Sequence, residues 1–407
     1  MKNVYLIGIG IGNTDFIHKK SMDAINKSDC LIGAKRMLES FSNLNKETFE
    51  SSQSEEIYKY IINNNNFENF GVIVSGDTGF YSLSKKLTEM LSQNIEIAIE
   101  NIPAISSLQY FCSKLKLSWD NIKFTSAHGR ELNIISNVMF NKKIFMLTGG
   151  DLKPNKICKI LTDKGLGHLK VSVGENLSYD NERILNDSAS NIANMNFESL
   201  AVIIIHNDNA LDLDIGFKSI KDEEFITGKA PMTKSEIRTI SISKLNLKND
   251  SIVYDIGAGT GSVSIEAALK LSNGSLYAIE KNEIAADLIN ENIKKFKAYN
   301  IEIIKNLAPE GLENLPKPDS AFIGGSSGNM DEIINVLLNK NPDVNVVINT
   351  ITLQSLNEAL NCMEKYKFKN VEIVNVSVSK SKKIGHYDMM MGQNPIYIIS
   401  GKGSGLN

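Results

Sequence analysis

A chain of 407 residues, 42 % hydrophobic and 22 % charged, is too long for one ordinary core and has the balance of a globular protein, which implies two domains. Its formal net charge of −3 supplies no global electrostatic pull toward nucleic acid or an anionic membrane surface. No apolar run approaches the roughly 20 residues that span a bilayer, the N-terminus has no cleavable leader pattern, and Cys30, Cys112, Cys158 and Cys362 show none of the short spacings of zinc or dithiol sites, so a cytoplasmic protein without a metal is expected.

Runs at 4–7, 30–32, 72–74, 95–99, 123–125, 143–147, 170–173 and 200–205 read as strands, most of them apolar rather than alternating, as expected of strands covered on both faces. Amphipathic stretches at 21–27, 54–63, 81–92 and 106–115 read as helices between them, an α/β pattern. Residues 207–224 are polar and acidic without a clean period and read as a linker, which places the domains at 1–212 and 213–407. The alternation then restarts with a helix at 234–244, a strand at 252–256, a glycine loop and a helix at 263–271. A strand at 275–279, a helix at 285–296 and strands at 301–304, 320–323 and 344–349 follow, with long strand candidates at 371–379 and 395–399. This order predicts a doubly wound sheet that opens on a nucleotide-type loop.

The sharpest motif is Asp255-Ile256-Gly257-Ala258-Gly259-Thr260-Gly261-Ser262, running from strand into helix. Glycines allow the tight turn and let backbone N–H groups approach a ligand. The third glycine comes one position earlier than in the dinucleotide fingerprint, a spacing that suits an adenosyl ligand with a carboxylate better than a pyrophosphate. Glu280, at the end of the second strand, is placed to accept ribose hydroxyls, and Asn306-Leu307-Ala308-Pro309 stands where an adenine would lie. Asp255 is placed to reach a ligand ammonium, directly or through water. Lys234 and Arg238, i and i+4 on one helix, either pair with substrate carboxylates or form an ordinary charged face. Glu236 is either an acid assisting the chemistry or a solvated helix carboxylate. The loop from Gly324 to Gly328 is either a flexible surface loop or a cradle of small residues that leaves room for a broad, flat substrate.

Residues 257–261 with Glu280 resemble the first two motifs of the class I methyltransferases. Pro231-Met232-Thr233-Lys234-Ser235-Glu236-Ile237-Arg238 and Phe322-Ile323-Gly324-Gly325-Ser326-Ser327-Gly328-Asn329 narrow this, because both resemble the precorrin methyltransferase/decarboxylase (CbiT-like) domain of cobalamin biosynthesis. The resemblance implies an S-adenosylmethionine site lined by Thr233, Gly257, Ala258, Gly259, Thr260, Gly261, Glu280 and Ala308, with Lys234, Arg238, Gly324, Gly325 and Ser326 toward substrate.

The first half opens Gly8-Ile9-Gly10-Ile11-Gly12-Asn13. Ser75-Gly76-Asp77-Thr78-Gly79-Phe80-Tyr81, Pro103-Ala104-Ile105-Ser106-Ser107 and Ser126-Ala127-His128-Gly129-Arg130 also put glycine or small polar residues at strand ends, the edge on which open α/β sheets bind ligands. Arg130 either grips a substrate carboxylate bidentately or forms a hydrogen-bonded loop pair with His128. His206 and His386 have no partner at metal-ligand spacing and read as structural. Together these segments resemble the tetrapyrrole methylases of the CbiE type, a class III fold with a cleft between two α/β lobes. That resemblance implies S-adenosylmethionine contacts from Gly76, Asp77, Thr78, Ser106, Ser107 and Thr148 and from the backbone of Ala201 and Val202. Ile11, Asn13 and Ala104 depart from the proline, aspartate and glycine common at those places in relatives.

In this order the halves resemble the fused precorrin-6Y C5,15-methyltransferases (decarboxylating). The resemblance implies two α/β domains, class III then class I. It also implies methylation of a tetrapyrrole at carbons 5 and 15 with loss of the ring C acetate carboxyl as carbon dioxide, and a homo-oligomer, since both parent folds assemble further. Two rival readings are an RNA methyltransferase, which calls for a basic surface with stacking aromatics where this chain has a single tryptophan, Trp119, and a cofactor-binding regulatory module without catalysis.

Overall fold

The computed structural model describes residues 1–127 and 133–404, so His128 and Arg130 lie outside the described residues. The chain divides into two compact units, one of Met1–Leu132 with Lys143–His206 and one of Asn133–Lys142 with Asn207–Asn407.

In the first unit, β1 (Lys2–Gly8), β2 (Cys30–Gly33), β3 (Glu47–Glu50), β4 (Asn69–Val74) and β5 (Ile97–Ile102) form an all-parallel sheet ordered β3-β2-β4-β1-β5. Alternation along β1 sorts its side chains: Val4 and Leu6 pack with Ile57 and Ile61 of helix Ser54–Asn63, whereas Tyr5 and Ile7 pack with Ala24 and Ile25 of helix Lys19–Lys27. Both faces are therefore apolar, which is why the strand reads as an unbroken hydrophobic run. A second sheet holds β6 (Lys123–Ser126), β7 (Lys143–Leu147), β8 (Lys170–Glu175), β9 (Arg183–Ser188) and β10 (Ala201–His206) in the order β6-β7-β10-β8-β9, with only β6 and β7 parallel.

The second unit carries β11 (Ile252–Ile256), β12 (Ser275–Ile279), β13 (Ile301–Ile304), β14 (Ser320–Ile323), β15 (Asn345–Thr350), β16 (Lys369–Val376), β17 (Ser379–Ile384), β18 (Tyr387–Gly392) and β19 (Ile396–Lys402). Seven of these make one sheet, β13-β12-β11-β14-β15-β19-β16, parallel except for β19, which runs antiparallel to both neighbours. The candidate at 371–379 resolves into β16 and the start of β17, and β17–β18 stands apart as a hairpin.

Residues 207–224 are not a free linker. They form short 3-10 turns at Leu213–Phe217 and Asp222–Glu224, and Ile220 is buried in the core of the second unit. Helix Ile134–Met139, inside the stretch assigned by sequence to the first domain, also belongs to the second unit. All six of its residues are buried, and Ser136 Oγ donates to Gly274 O at 2.6 Å. Among the described residues, no helix is long and apolar enough to cross a membrane, and no group of three or more His, Cys, Asp or Glu is placed to hold a metal ion.

Candidate active sites

Strand order in the second unit reverses between β11 and β14, and the loops leaving these two strands meet there, at the switch point where open sheets bind ligands. Gly257 follows β11 with φ +74°, and a Cβ on it would stand 2.6 Å from Gly325 O, so the two loops touch backbone to backbone. Only glycine satisfies both the left-handed conformation and this approach. Glu280, just past β12, braces the turn: its Oε2 accepts the Gly259 N–H at 2.9 Å and its Oε1 accepts the Asn282 N–H at 2.9 Å. Each carboxylate oxygen has a second lone pair to offer, and Glu280 lines a cavity of about 720 Å³ with Gly257, Gly259, Leu307, Ala308, Gly324, Gly325 and Ser326.

A second cavity of about 500 Å³ is lined by Thr233, Lys234, Ala258, Asn349 and Gln393, and shares Pro231, Gly257 and Gly324 with the first. The two spaces thus adjoin at the glycine step. An adenosyl ligand fits this arrangement: a carboxylate for ribose hydroxyls, the apolar Leu307 and Ala308 for a base, and a step of bare backbone toward Lys234. Gly325 and Ser326, expected toward substrate, share the cavity of Glu280 instead. Thr233, expected on the cofactor, lies with Lys234.

Four expectations are corrected. Arg238 is fully buried. Its Nε donates to Glu266 Oε1 at 2.8 Å and its Nη1 to Asp222 Oδ1 and Thr233 O. Its Nη2 donates to Ile220 O, and its guanidinium stacks on Phe225. It knits the second unit together and has no surface to offer a substrate. Lys234, the N-cap of helix Ser235–Lys244, accepts the Arg238 N–H at its carbonyl at 2.8 Å and lines the second cavity, which Arg238 does not. Thr260 is buried, its hydroxyl is out of solvent's reach, and it lines neither cavity; Gly261 caps the next helix and lines neither cavity either. Asp255 is sealed below the loop, where its Oδ2 accepts from Ser264 Oγ and its Oδ1 has no partner. Burial pushes its pKa up to about 7. Glu236 lies outside both cavities and pairs with Lys380 at 2.9 Å. Burial raises its pKa, but the Lys380 hydrogen bond and smaller contributions outweigh this and hold the carboxyl below its ordinary value. That is the wrong direction for a general acid at neutral pH.

In the first unit the loops after β1 and β4 are zipped together. Gly76 N–H donates to Gly10 O at 2.7 Å and Gly10 N–H to Gly76 O at 3.3 Å. Asp77 ties the loop after β4 to the one after β5, with Oδ1 accepting the Gly79 N–H at 2.8 Å and Oδ2 the Ala104 N–H at 3.0 Å. These loops border a cavity of about 280 Å³ lined by Gly76, Ser106, Ser107, Thr148, Ala201 and Val202. Ser106 caps helix Ser107–Leu115 through a reciprocal box with Gln109, and Thr148 Oγ1 donates to Ala201 O at 2.7 Å. Asp77 does not line this cavity, and Thr78 opens onto a neighbouring, larger one. Sequence reasoning missed Phe80 and Tyr81 as lining residues and, in the second unit, Asn349 and Gln393. Aromatics after a glycine loop were a usable signal; a lone Gln beyond a hairpin was not.

Known protein families match both halves of the chain. The family model of the precorrin methyltransferase domain matches residues 224–401, and that of the tetrapyrrole (corrin/porphyrin) methylases matches residues 3–193. The probable cobalt-precorrin-6B C(15)-methyltransferase (decarboxylating) of Saccharolobus solfataricus is 43 % identical over 188 residues, 45 % of this chain and 91 % of that protein. The protein of the same description from Methanocaldococcus jannaschii is 40 % identical over 181 residues, 44 % of this chain and 96 % of that one. A crystal structure of precorrin-6y C5,15-methyltransferase from Geobacter metallireducens GS-15 is 42 % identical, covers 46 % of this chain and 96 % of its own, and superposes with a TM-score of 0.44. The chain belongs to the S-adenosylmethionine-dependent precorrin methyltransferases, with a tetrapyrrole-methylase unit ahead of its precorrin methyltransferase domain.

Proposed function

We propose that the chain methylates a precorrin or cobalt-precorrin twice in cobalamin biosynthesis. Residues 1–212 serve carbon 5; residues 213–407 serve carbon 15 and release carbon dioxide from the ring C acetate. The observation that carries this reading is that each unit has a cavity bordered by strand-end glycines and small residues. S-adenosylmethionine, when bound, supplies an electrophilic methyl group. The protein's own work is to bind, orient and exclude water, which is the larger part of catalysis when both reactants are already reactive. In the second unit Glu280 and Ala308 hold the adenosyl end, the bare step at Gly257 lets the ligand pass toward the cavity of Thr233 and Lys234, and the Lys234 ammonium meets a substrate carboxylate there. In the first unit Gly76, Ser106, Ser107, Thr148 and Ala201 do the holding.

We further place the protein in the cytoplasm as a homo-oligomer without a nucleic-acid partner. Self-association is supported by the β17–β18 hairpin, which leaves Ile384, Tyr387, Met389, Met390 and Met391 exposed. The test is the full chain with labelled methyl donor and candidate precorrins, product masses recorded alongside calorimetry. Two donor sites, and a product with two added methyl groups and one carbon dioxide lost, are expected. Fewer than two sites, or methyl transfer to RNA alone, overturns the reading.

A further inference from the structure

The 500 Å³ cavity of the second unit has a single titratable side chain among the described residues that line it, Lys234; Glu236 stands outside. Three neutral amides, Asn349, Gln393 and Asn394, line it as well, beside the buried Val263 and Phe322. One of these amides is held in a set orientation. Asn349 lies near the carboxyl end of β15, next to the fully buried Ser241 of helix Ser235–Lys244. Ser241 Oγ is 2.8 Å from Ile237 O, 2.9 Å from Asn349 Nδ2 and 3.1 Å from Asn349 Oδ1. A hydroxyl has one proton to give. Given to the carbonyl one turn back, it leaves Ser241 Oγ to accept from Asn349 Nδ2. The second N–H of that amide and its Oδ1 then stay uncommitted on a group that cannot turn freely.

Loss of carbon dioxide moves negative charge off a carboxylate and into the group it leaves. A cation against that carboxylate holds the charge where it starts and stabilises the ground state, which slows the step. A neutral amide can fix the direction of the breaking bond without that penalty. We propose that the cavity divides these tasks: Lys234 anchors a carboxylate that the tetrapyrrole keeps, and the Asn349 amide holds the ring C acetate carboxylate that leaves, with Ser241 as its positioning residue. The bond between the acetate methylene and the carboxyl carbon breaks, its electron pair passes into the conjugated ring, and carbon dioxide departs. Water supplies the proton that completes the methyl group, since no carboxyl, imidazole, thiol or phenol lines the cavity among the described residues. This rests on the functional reading above and assigns its decarboxylation step to named side chains.

The test uses the full chain carrying Asn349→Ala, the near-isosteric Asn349→Asp or Lys234→Met, with a tetrapyrrole labelled in the ring C acetate carboxyl. Released carbon dioxide gives kcat and KM, and calorimetry gives donor affinity at the second site. Loss of the orienting amide predicts a fall in kcat for carbon dioxide release of about ten- to a hundredfold, with KM within about threefold. Asn349→Asp, which loses the N–H donor and faces the carboxylate with like charge, falls at least as far. Lys234→Met shows the opposite split, a KM raised about tenfold with kcat within about twofold, as expected when a contact made equally in ground and transition states is removed. Donor affinity stays within about twofold in all three, which shows the site intact. Asn349 variants that release carbon dioxide at the parent rate, or a Lys234→Met that loses kcat rather than KM, overturn the division. If the parent chain releases no carbon dioxide from any precorrin, the functional reading itself falls, an outcome distinct from a failure confined to the variants.

Discussion

Asp77 in the first unit and Glu280 in the second are both carboxylates at the carboxyl edge of a parallel sheet, and each accepts two backbone N–H groups, those of Gly79 and Ala104 for the first and of Gly259 and Asn282 for the second. Only Glu280 also faces a cavity. On the proposed reading Asp77 would hold loops that in turn hold the ligand, whereas Glu280 would do both at once. The first unit spreads the brace over backbone contacts, Gly10 to Gly76 included, while the second concentrates it in one side chain and one glycine step. Two acids that look alike in the sequence therefore differ in how directly their loss reaches the ligand.

The largest effect belongs to a residue of neither site. Arg238→Met leaves the buried Glu266 without its cation and Asp222 with Lys380 alone, a loss of about 3–5 kcal/mol in unfolding free energy. Denaturant titration should show the second unit unfolding early, with the tetrapyrrole KM unchanged in whatever stays folded. A stable variant with a raised KM would return Arg238 to the substrate. Next comes Gly257→Ala, where the added Cβ collides with Gly325 backbone. Donor affinity at the second site should fall by about a hundredfold or more, as expected for a strained turn with a displaced loop, while the first site titrates normally.

The comparison itself is tested by Glu280→Ala against Asp77→Ala. Removing a charged acceptor that touches the ligand costs about ten- to a hundredfold in second-site affinity. Removing Asp77 frees two N–H groups but deletes no ligand contact, so first-site affinity should fall only about fivefold. Asp77→Asn should recover part of this, since an amide oxygen can keep one of the two bonds. Equal losses from the two alanine variants, measured by calorimetry on each site, would dissolve the distinction.

Sequence conveyed the centre of each sheet better than its margins. Strands β11, β12 and β14 matched their apolar runs because both faces are covered, and burial leaves a continuous signature; β13 matched as well, although it is an edge with Glu302 exposed. Strands β3 and β9 are sheet edges with half-exposed, polar residues, so no run marks them. The β17–β18 hairpin alternates Lys and Ser against Met, a pattern with no buried face to give it away. The glycine loops and Glu280 were legible because their chemistry is local. Arg238 was not: its direction is set by Glu266 and Asp222, which no spacing connects to it. Helix Ile134–Met139 shows the same limit on a larger scale, since nothing local says that it packs with Gly274. It also means that a chain cut after Asp212 strips the second unit of a buried helix, so both sites are best measured in the intact protein.

The smallest effect probes the acid beneath the second unit's loop. Asp255 is sealed from water, and burial pushes its pKa up to about 7 from an ordinary 3.8. Below about pH 4 both folded and unfolded chains hold the proton. Between there and about pH 7 the unfolded chain gives it up while the folded one retains it, so this group's contribution to stability falls as pH rises through that window and is gone above it. Asp255→Asn keeps an oxygen to accept from Ser264 but cannot ionise. Thermal midpoints of the variant and its parent, compared from pH 5 to pH 8, should therefore diverge in the variant's favour as pH rises, by a few degrees at the upper end. Among the described strand-end carboxylates of the first unit, Asp77 has both oxygens bonded to backbone N–H groups, and the buried Glu175 accepts from Arg183 Nε and the Glu198 N–H, so neither is left unpartnered as Asp255 Oδ1 is. The first unit's unfolding transition should show no difference between the two proteins at any pH. A gap that stays constant with pH would mean that Asp255 is ionised in the folded chain, held there by a partner in addition to Ser264.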